Sequence, residues 1–239
     1  MIRLQNKLWN KMNHVPRSEI FDDVYFSPVD GLAESRYVYL GGNKLPDSWK
    51  GKGEFTICEL GFGTGLNFLA VLQLLAMSPV DGRPKALHYI SFEKYPLTKD
   101  VIRGALSHWG ALDLVLDVLL SKYPDNLTEG VYDLPIMEGV TLTLIIGDVN
   151  EALPKLDTQV DCWFLSGFKP STNPGMWSDI VFENMARLSA VGTTFSTFTA
   201  VGYVRRGLGS VGFDVQKISG FGYKWHMLVG TYDGGEQCA

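Results

Sequence analysis

Three observations predict an α/β protein built on a mostly parallel, seven-stranded sheet with helices on both faces. First, a short apolar run at 55–60 is followed by glycines at alternate positions, Gly61, Gly63 and Gly65, and then by a Leu-rich stretch through Leu75. Strand, glycine turn and helix in that order open the nucleoside-binding half of a doubly wound sheet. Second, strand-like runs at 87–92, 140–146 and 193–198, with a near-continuously apolar one at 160–165, alternate with helical stretches, as parallel strands joined by crossovers do. Third, 239 residues with 46% hydrophobic and 20% charged content suffice for one α/β domain with a substantial core.

Residues 1–50 precede the sheet and are expected to pack on the domain at 51–232, with 233–239 as a tail or the start of a linker. Within the extension, 30–40 alternates loosely and suits a helical turn or a strand, broken by Gly41-Gly42-Asn43. Its acidic and aromatic residues fit a lid over a ligand or a packing arm equally well.

The strand at 55–60 carries Glu59 two residues before Gly61. A dinucleotide fingerprint needs G-x-G-x-x-G, and here the third glycine comes one residue early. A carboxylate at this strand end repels a pyrophosphate but can hold an ammonium group, directly or through water. Acid-x-G-x-G-x-G is the pattern of Rossmann-like class I S-adenosyl-L-methionine methyltransferases, whose ligand carries an α-amino group and no phosphate. Glycines there let backbone approach the ligand closely. Glu59, Gly61, Gly63, Gly65 and the neighbouring Asn67 are the first candidate cofactor residues.

The strand at 87–92 ends in Glu93, where an acid can accept hydrogen bonds from ribose hydroxyls; Lys94 follows and joins the cofactor set. Two amphipathic helices are expected near 97–106 and 111–122, then a hairpin from 132–136 and 140–146. Asp148, just past the hairpin, is the adenine candidate and equally a helix N-cap, with a short helix at 151–155. The strand at 160–165 ends in Ser166-Gly167-Phe168-Lys169-Pro170, where sheets of this type place their chemistry. A helix at 179–188, a strand at 193–198 and a helix from 201 lead to closing strands at 212–218 and 225–230, one of them antiparallel.

No apolar run approaches the roughly 20 residues of a membrane span, and the opening seven residues lack a secretory pattern. Cys58, Cys162 and Cys238 form no C-x-x-C pair and read as small hydrophobes in a reducing cytoplasm. His14, His88, His108 and His226 lack metal-ligand spacing, so no metal is expected. A net charge of −5 leaves only local basic clusters, Lys94/Lys99/Arg103 and Arg205/Arg206 with Lys217 and Lys224. RNA binding would then draw on another domain or subunit for much of its grip.

Several longer runs resemble one family. They are Asp23-Val24-Tyr25-Phe26-Ser27, Asp30-Gly31-Leu32-Ala33-Glu34-Ser35-Arg36-Tyr37, the Glu59–Phe68 run and Tyr89-Ile90-Ser91-Phe92-Glu93-Lys94-Tyr95-Pro96. Phe195-Ser196-Thr197-Phe198-Thr199-Ala200 and Val204-Arg205-Arg206-Gly207-Leu208 extend them. From about Asp23 to Gly230 the chain resembles the N-terminal methyltransferase domain of the bacterial bifunctional enzyme that makes 5-methylaminomethyl-2-thiouridine in tRNA. The resemblance implies methylation of the aminomethyl group on a wobble uridine, with S-adenosyl-L-methionine as donor and tRNA as partner. It also implies a following FAD-dependent oxidase domain, or a separate oxidase subunit. Neither that domain nor a flavin site is expected within these 239 residues.

Two departures stand out. The family pattern Trp-Phe-Leu-Asp-Gly-Phe-Ala-Pro is here Trp163-Phe164-Leu165-Ser166-Gly167-Phe168-Lys169-Pro170, so Ser166 replaces the acid implied to act in catalysis. The family's more basic Lys-Arg-Glu-Met run is here Lys224-Trp225-His226-Met227. Ser166 and Phe168 are thus the implied catalytic pair, and Asp30, Glu34 and Lys169 the substrate candidates. Two other readings stay open: a ligand-binding module with weakened catalysis, and a small-molecule amine methyltransferase or aminopropyl transferase.

Overall fold

In the computed structural model, which describes residues 15–234, a short antiparallel pair comes first, β1 (Arg17–Ser18) with β2 (Asp23–Val24). His14, Cys238, the first fourteen positions of the extension and 235–239 of the tail lie outside the described residues. Asp30 caps α1 (Gly31–Glu34), its carboxylate accepting from Ala33 N at 3.0 Å. The chain continues in wide π turns over Ser35–Gly41, so the 30–40 stretch is helical and not a strand.

The remaining elements follow in order. They are β3 (Glu54–Leu60), α2 (Leu66–Met77), β4 (Ala86–Glu93), α3 (Lys99–Leu106), α4 (Asp113–Lys122), β5 (Gly130–Met137) and β6 (Val140–Ile146). Then come α5 (Val149–Ala152), β7 (Val160–Leu165), α6 (Asp179–Arg187), β8 (Ser189–Thr197), α7 (Gly202–Ser210), β9 (Phe213–Ser219) and β10 (His226–Tyr232).

The large sheet runs β5-β6-β4-β3-β7-β8-β10-β9 and has eight strands, one more than predicted. The extra strand is β5, the outer arm of the 130–146 hairpin, which pairs antiparallel to β6 and so extends the sheet's edge. At the other end β10 is antiparallel to both β8 and β9. The five strands between, β6, β4, β3, β7 and β8, are parallel. Both edge strands are irregular or polar. β5 carries Asp133 and Pro135, with a register shift between Pro135 and Met137, and β9 carries Lys217 in an exposed run.

Side chains alternate across β3, as period-two strands require. Phe55 and Ile57 enter the core layer under α2, α3 and α4, whereas Cys58 and Leu60 enter the layer under α5, α6 and α7. α2 is apolar nearly all round, which suits a helix covered on several sides. It buries Leu66, Phe68, Leu69, Ala70, Val71, Leu72 and Leu75 and contacts both α4 and the π turns.

Residues of the extension share that core, among them Phe26, Leu32, Val38, Tyr39 and Trp49. Asn43 fastens them polar-side too: its Nδ2 donates to Ser196 Oγ at 2.6 Å and to the Tyr39 carbonyl at 3.0 Å, fully buried. Gly42 lies so close to Ser196 that an added Cβ would come within 2.6 Å of that side chain's Cβ. Among the described residues no helix is long and apolar enough to cross a membrane.

Candidate functional site

The parallel strands β3, β4, β6 and β7 all end at one rim, and a cleft of about 540 Å³ opens there. That volume lies within the usual range for small-molecule sites. The floor is the β3–α2 turn. Gly61, Gly63 and Gly65 have φ of 105°, 54° and 77°, a left-handed backbone that other residues adopt only under strain. Gly61 also lies against the next strand's exit, where a Cβ would meet Gly167 Cα at 3.2 Å. Gly61 and Gly63 line the cleft, while Gly65 caps α2 behind them.

Glu59 lies beneath this floor, 1% exposed. Its Oε1 accepts from Asn67 Nδ2 at 2.8 Å and from Ser166 Oγ at 3.0 Å, and its Oε2 accepts from Ser91 Oγ at 2.8 Å. Burial pushes its carboxyl up to about 7, against the pull of those three donors. Asn67 and Ser166 do line the cleft, so the buried charge reaches it through them. Asn67 Oδ1 in turn accepts from Ser35 Oγ at 2.6 Å, which links the network to the π turns.

Glu93 closes β4, its Oε2 accepting from Gly63 N at 2.9 Å and its Oε1 from Tyr95 N at 2.7 Å. Burial raises its pKa, opposed by those amides. The same carboxylate therefore shapes the glycine turn and faces the cleft. Asp148 caps α5 through Asn150 N at 2.9 Å and pairs with Lys94 Nζ at 2.8 Å. The hydrogen bond from Lys94 lowers the Asp148 pKa, and Asp148 raises that of Lys94.

On the opposite wall, Ser166 follows β7 directly. Its single hydroxyl proton has three acceptors in reach: Glu59 Oε1, the Leu60 carbonyl at 3.2 Å and the Gly61 carbonyl at 3.1 Å. Phe168 stacks on Phe21 at 4.9 Å and meets Tyr25 edge-on at 5.1 Å, forming an aromatic wall. Lys169 lines the cleft and is anchored by Asp23, whose Oδ2 accepts from Lys169 N at 2.9 Å. Glu34 lines it too, accepting from Ser27 N at 2.9 Å and from Lys224 Nζ at 2.8 Å. Asp30 does not line the cleft; it is occupied as the α1 cap.

Glu93, Lys94, Asp148, Ser166, Phe168, Lys169 and Glu34 thus gather on one cleft. Sequence reading assigned no role to Ser35, Ser91, Phe21 or Asp23. Asp23 opens one of the resemblance runs, the only signal that could have marked it. No group of three or more His, Cys, Asp or Glu side chains among the described residues is placed to hold a metal.

These residues fit an adenosyl amino acid: an open glycine cradle, acids at successive strand ends, and a buried carboxylate behind the floor. The chain belongs to the S-adenosyl-L-methionine-dependent methyltransferases, whose family model matches residues 111–233. Among individual relatives, it is 47% identical over 218 residues to the tRNA 5-methylaminomethyl-2-thiouridine biosynthesis bifunctional protein MnmC of Marinomonas sp., covering 90% of this chain and 32% of that protein. It is 49% identical over 220 residues to the protein of the same name from Chromobacterium violaceum, covering 90% and 33%. The chain therefore spans about a third of the length of these curated relatives. The crystal structure of MNMC2 from Aquifex aeolicus superposes with a TM-score of 0.72 at 19% identity, covering 92% of this chain and 68% of that one. At that identity the likeness is one of fold.

Proposed function

We propose that the chain transfers a methyl group to the aminomethyl nitrogen of a modified wobble uridine in tRNA. The observation that carries the reading is the cleft itself, which has cofactor candidates on one side and Ser166, Phe168 and Lys169 on the other. The name borne by relatives at 47% and 49% identity, a tRNA 5-methylaminomethyl-2-thiouridine biosynthesis protein, supports the choice of substrate. A following FAD-dependent oxidase domain, or a separate oxidase, would supply the amine, and the cytoplasm would be the compartment.

In this reading Glu93 holds the ribose hydroxyls, Asp148 the adenine amino group, and Asn67, backed by Glu59, the amino-acid end. Bound S-adenosyl-L-methionine supplies a methyl on a sulfonium, a leaving group that needs no activation. The acceptor amine must arrive neutral, with its lone pair free. Ser166 Oγ, already donating toward Glu59 or a carbonyl, accepts an amine N–H and aims the lone pair. Phe168 and its aromatic neighbours flank the base. Serine is a poor proton acceptor, and losing a general base typically costs about 10²–10⁴ in rate, while positioning alone retains part of the catalysis.

The test is transfer of labelled methyl to tRNA bearing 5-aminomethyl-2-thiouridine, comparing the parent with Ser166→Asp. Transfer by both, faster in Ser166→Asp, is the expected result. Silence from both proteins while they bind the methyl donor would sink the assignment.

A further inference from the structure

We propose that the loop 220–225 between β9 and β10 is a stacking platform for unpaired RNA bases flanking the target nucleotide, with Tyr223 and Trp225 as its two ring surfaces. The inference rests on the RNA reading given above. Tyr223 is 90% exposed and Trp225 87%. Two large aromatic side chains this bare, two residues apart on one loop, make an exposed apolar patch of the kind that marks an interaction site.

The loop is held in place. Gly220 N donates to the Trp225 carbonyl at 3.2 Å, and Lys224 N to the Phe221 carbonyl at 3.0 Å. Tyr37 OH donates to the Ser219 carbonyl at 3.0 Å. Between the two rings Lys224 turns back into the protein, its Nζ 2.8 Å from Glu34 Oε1 and 4.1 Å from the centroid of the Phe198 ring. The rings are therefore displayed from an anchored hairpin.

The position selects the partner. Tyr223 and Lys224 line the same cleft as Ser166 and Lys169. A base drawn into that cleft leaves its neighbours unstacked, and aromatic side chains recover that stacking with any base. A net charge of −5 makes phosphate contacts a weak source of grip, so stacking must carry more of it. A protein docked permanently on these rings would obstruct the cleft mouth.

The probe is an unmodified anticodon stem-loop RNA, with a fully paired RNA duplex as control. Trp225→Ala and Tyr223→Ala are each expected to weaken stem-loop binding by about tenfold. Trp225→Phe should retain most of the affinity. The slope of log Kd against log salt should not change, because no phosphate contact is lost. Trp49, Trp163 and Trp177 are buried and Trp109 is half-buried, so the difference in iodide quenching between the parent and Trp225→Phe isolates Trp225 from the other five tryptophans. The stem-loop should shield the quenchable component that Trp225→Phe lacks, and the duplex should not.

Unchanged affinity in Trp225→Ala, equal shielding by duplex, or no saturable binding by the parent would each overturn the inference. So would loss in Trp225→Ala of a concentration-dependent self-association with RNA affinity intact, which would make the surface a protein contact. The two readings fail separately. A parent that methylates tRNA with a dispensable Trp225 refutes only the platform. A parent that binds through Trp225 and transfers no methyl refutes only the reaction.

Discussion

Replacing Glu59 by Gln should make the protein relatively more stable as the pH rises. The buried carboxyl titrates near 7 in the fold, against 4.5 when exposed. Between those values the native chain keeps a proton that the unfolded chain has released, so stability falls as pH rises through the window. The full cost is present above about pH 7. A displacement from 4.5 to about 7 in a side chain only 1% exposed corresponds to about 3 kcal/mol.

Gln carries no such proton. Its amide also cannot satisfy the donors Asn67, Ser91 and Ser166 together, an offset of about 1–3 kcal/mol that does not vary with pH. From about pH 5 to about pH 8 the stability difference should therefore move by about 2–3 kcal/mol in favour of Glu59→Gln. For a chain of this size that is roughly 4–12 °C in relative Tm. Parallel thermal and denaturant unfolding of both proteins across this range measures it. A difference that stays constant with pH would show that Glu59 titrates like an exposed acid, and the account of the buried network would be wrong. Saturating methyl donor should shrink the trend, because a nearby cation favours the ionised carboxylate.

Other outcomes follow from the same contacts. Ser166→Asp puts a second carboxylate about where Oγ now lies 3.0 Å from Glu59 Oε1; one of the two should hold a proton, lowering the Tm of the ligand-free protein as pH rises while raising the methyl-transfer rate. Asn43→Ala removes the buried amide that bonds Ser196 and Tyr39 and should cost about 1–3 kcal/mol by urea unfolding. Gly42→Ala drives a methyl into the Val38 carbonyl and the Ser196 side chain, and should cost about as much through overpacking. Asp148→Ala should weaken donor binding in calorimetry by about tenfold, with about 1 kcal/mol lost from the α5 cap.

The strands were legible because each apolar run is local: 160–165 is the strand Val160–Leu165 itself, and the acids at 93 and 148 stand at strand ends in any doubly wound sheet. The eighth strand, β5, is not set apart in the sequence although its hairpin is visible there, since pairing at a sheet edge leaves the same local pattern as a free arm. The floor of the site was less legible. Glu59 meets Asn67, Ser91 and Ser166 across separations of 8, 32 and 107 residues, and only the packed sheet brings them together. Asp30 and Glu34 read alike in sequence, yet one is consumed as a helix cap while the other turns to the cleft. Which acid does which depends on one turn of helix placed against Ser27 and Lys224.

The two outer strands have a consequence for handling the protein at high concentration. A regular exposed edge invites a neighbouring molecule to add a strand, the first step toward insoluble aggregates. On β5, Pro135 has no N–H to offer and the register shift beside it breaks the ladder. On β9, Lys217 would bring a charge into any intermolecular ladder. Each edge thus discourages its own extension, and Pro135→Thr or Lys217→Val is where intermolecular strand growth would begin.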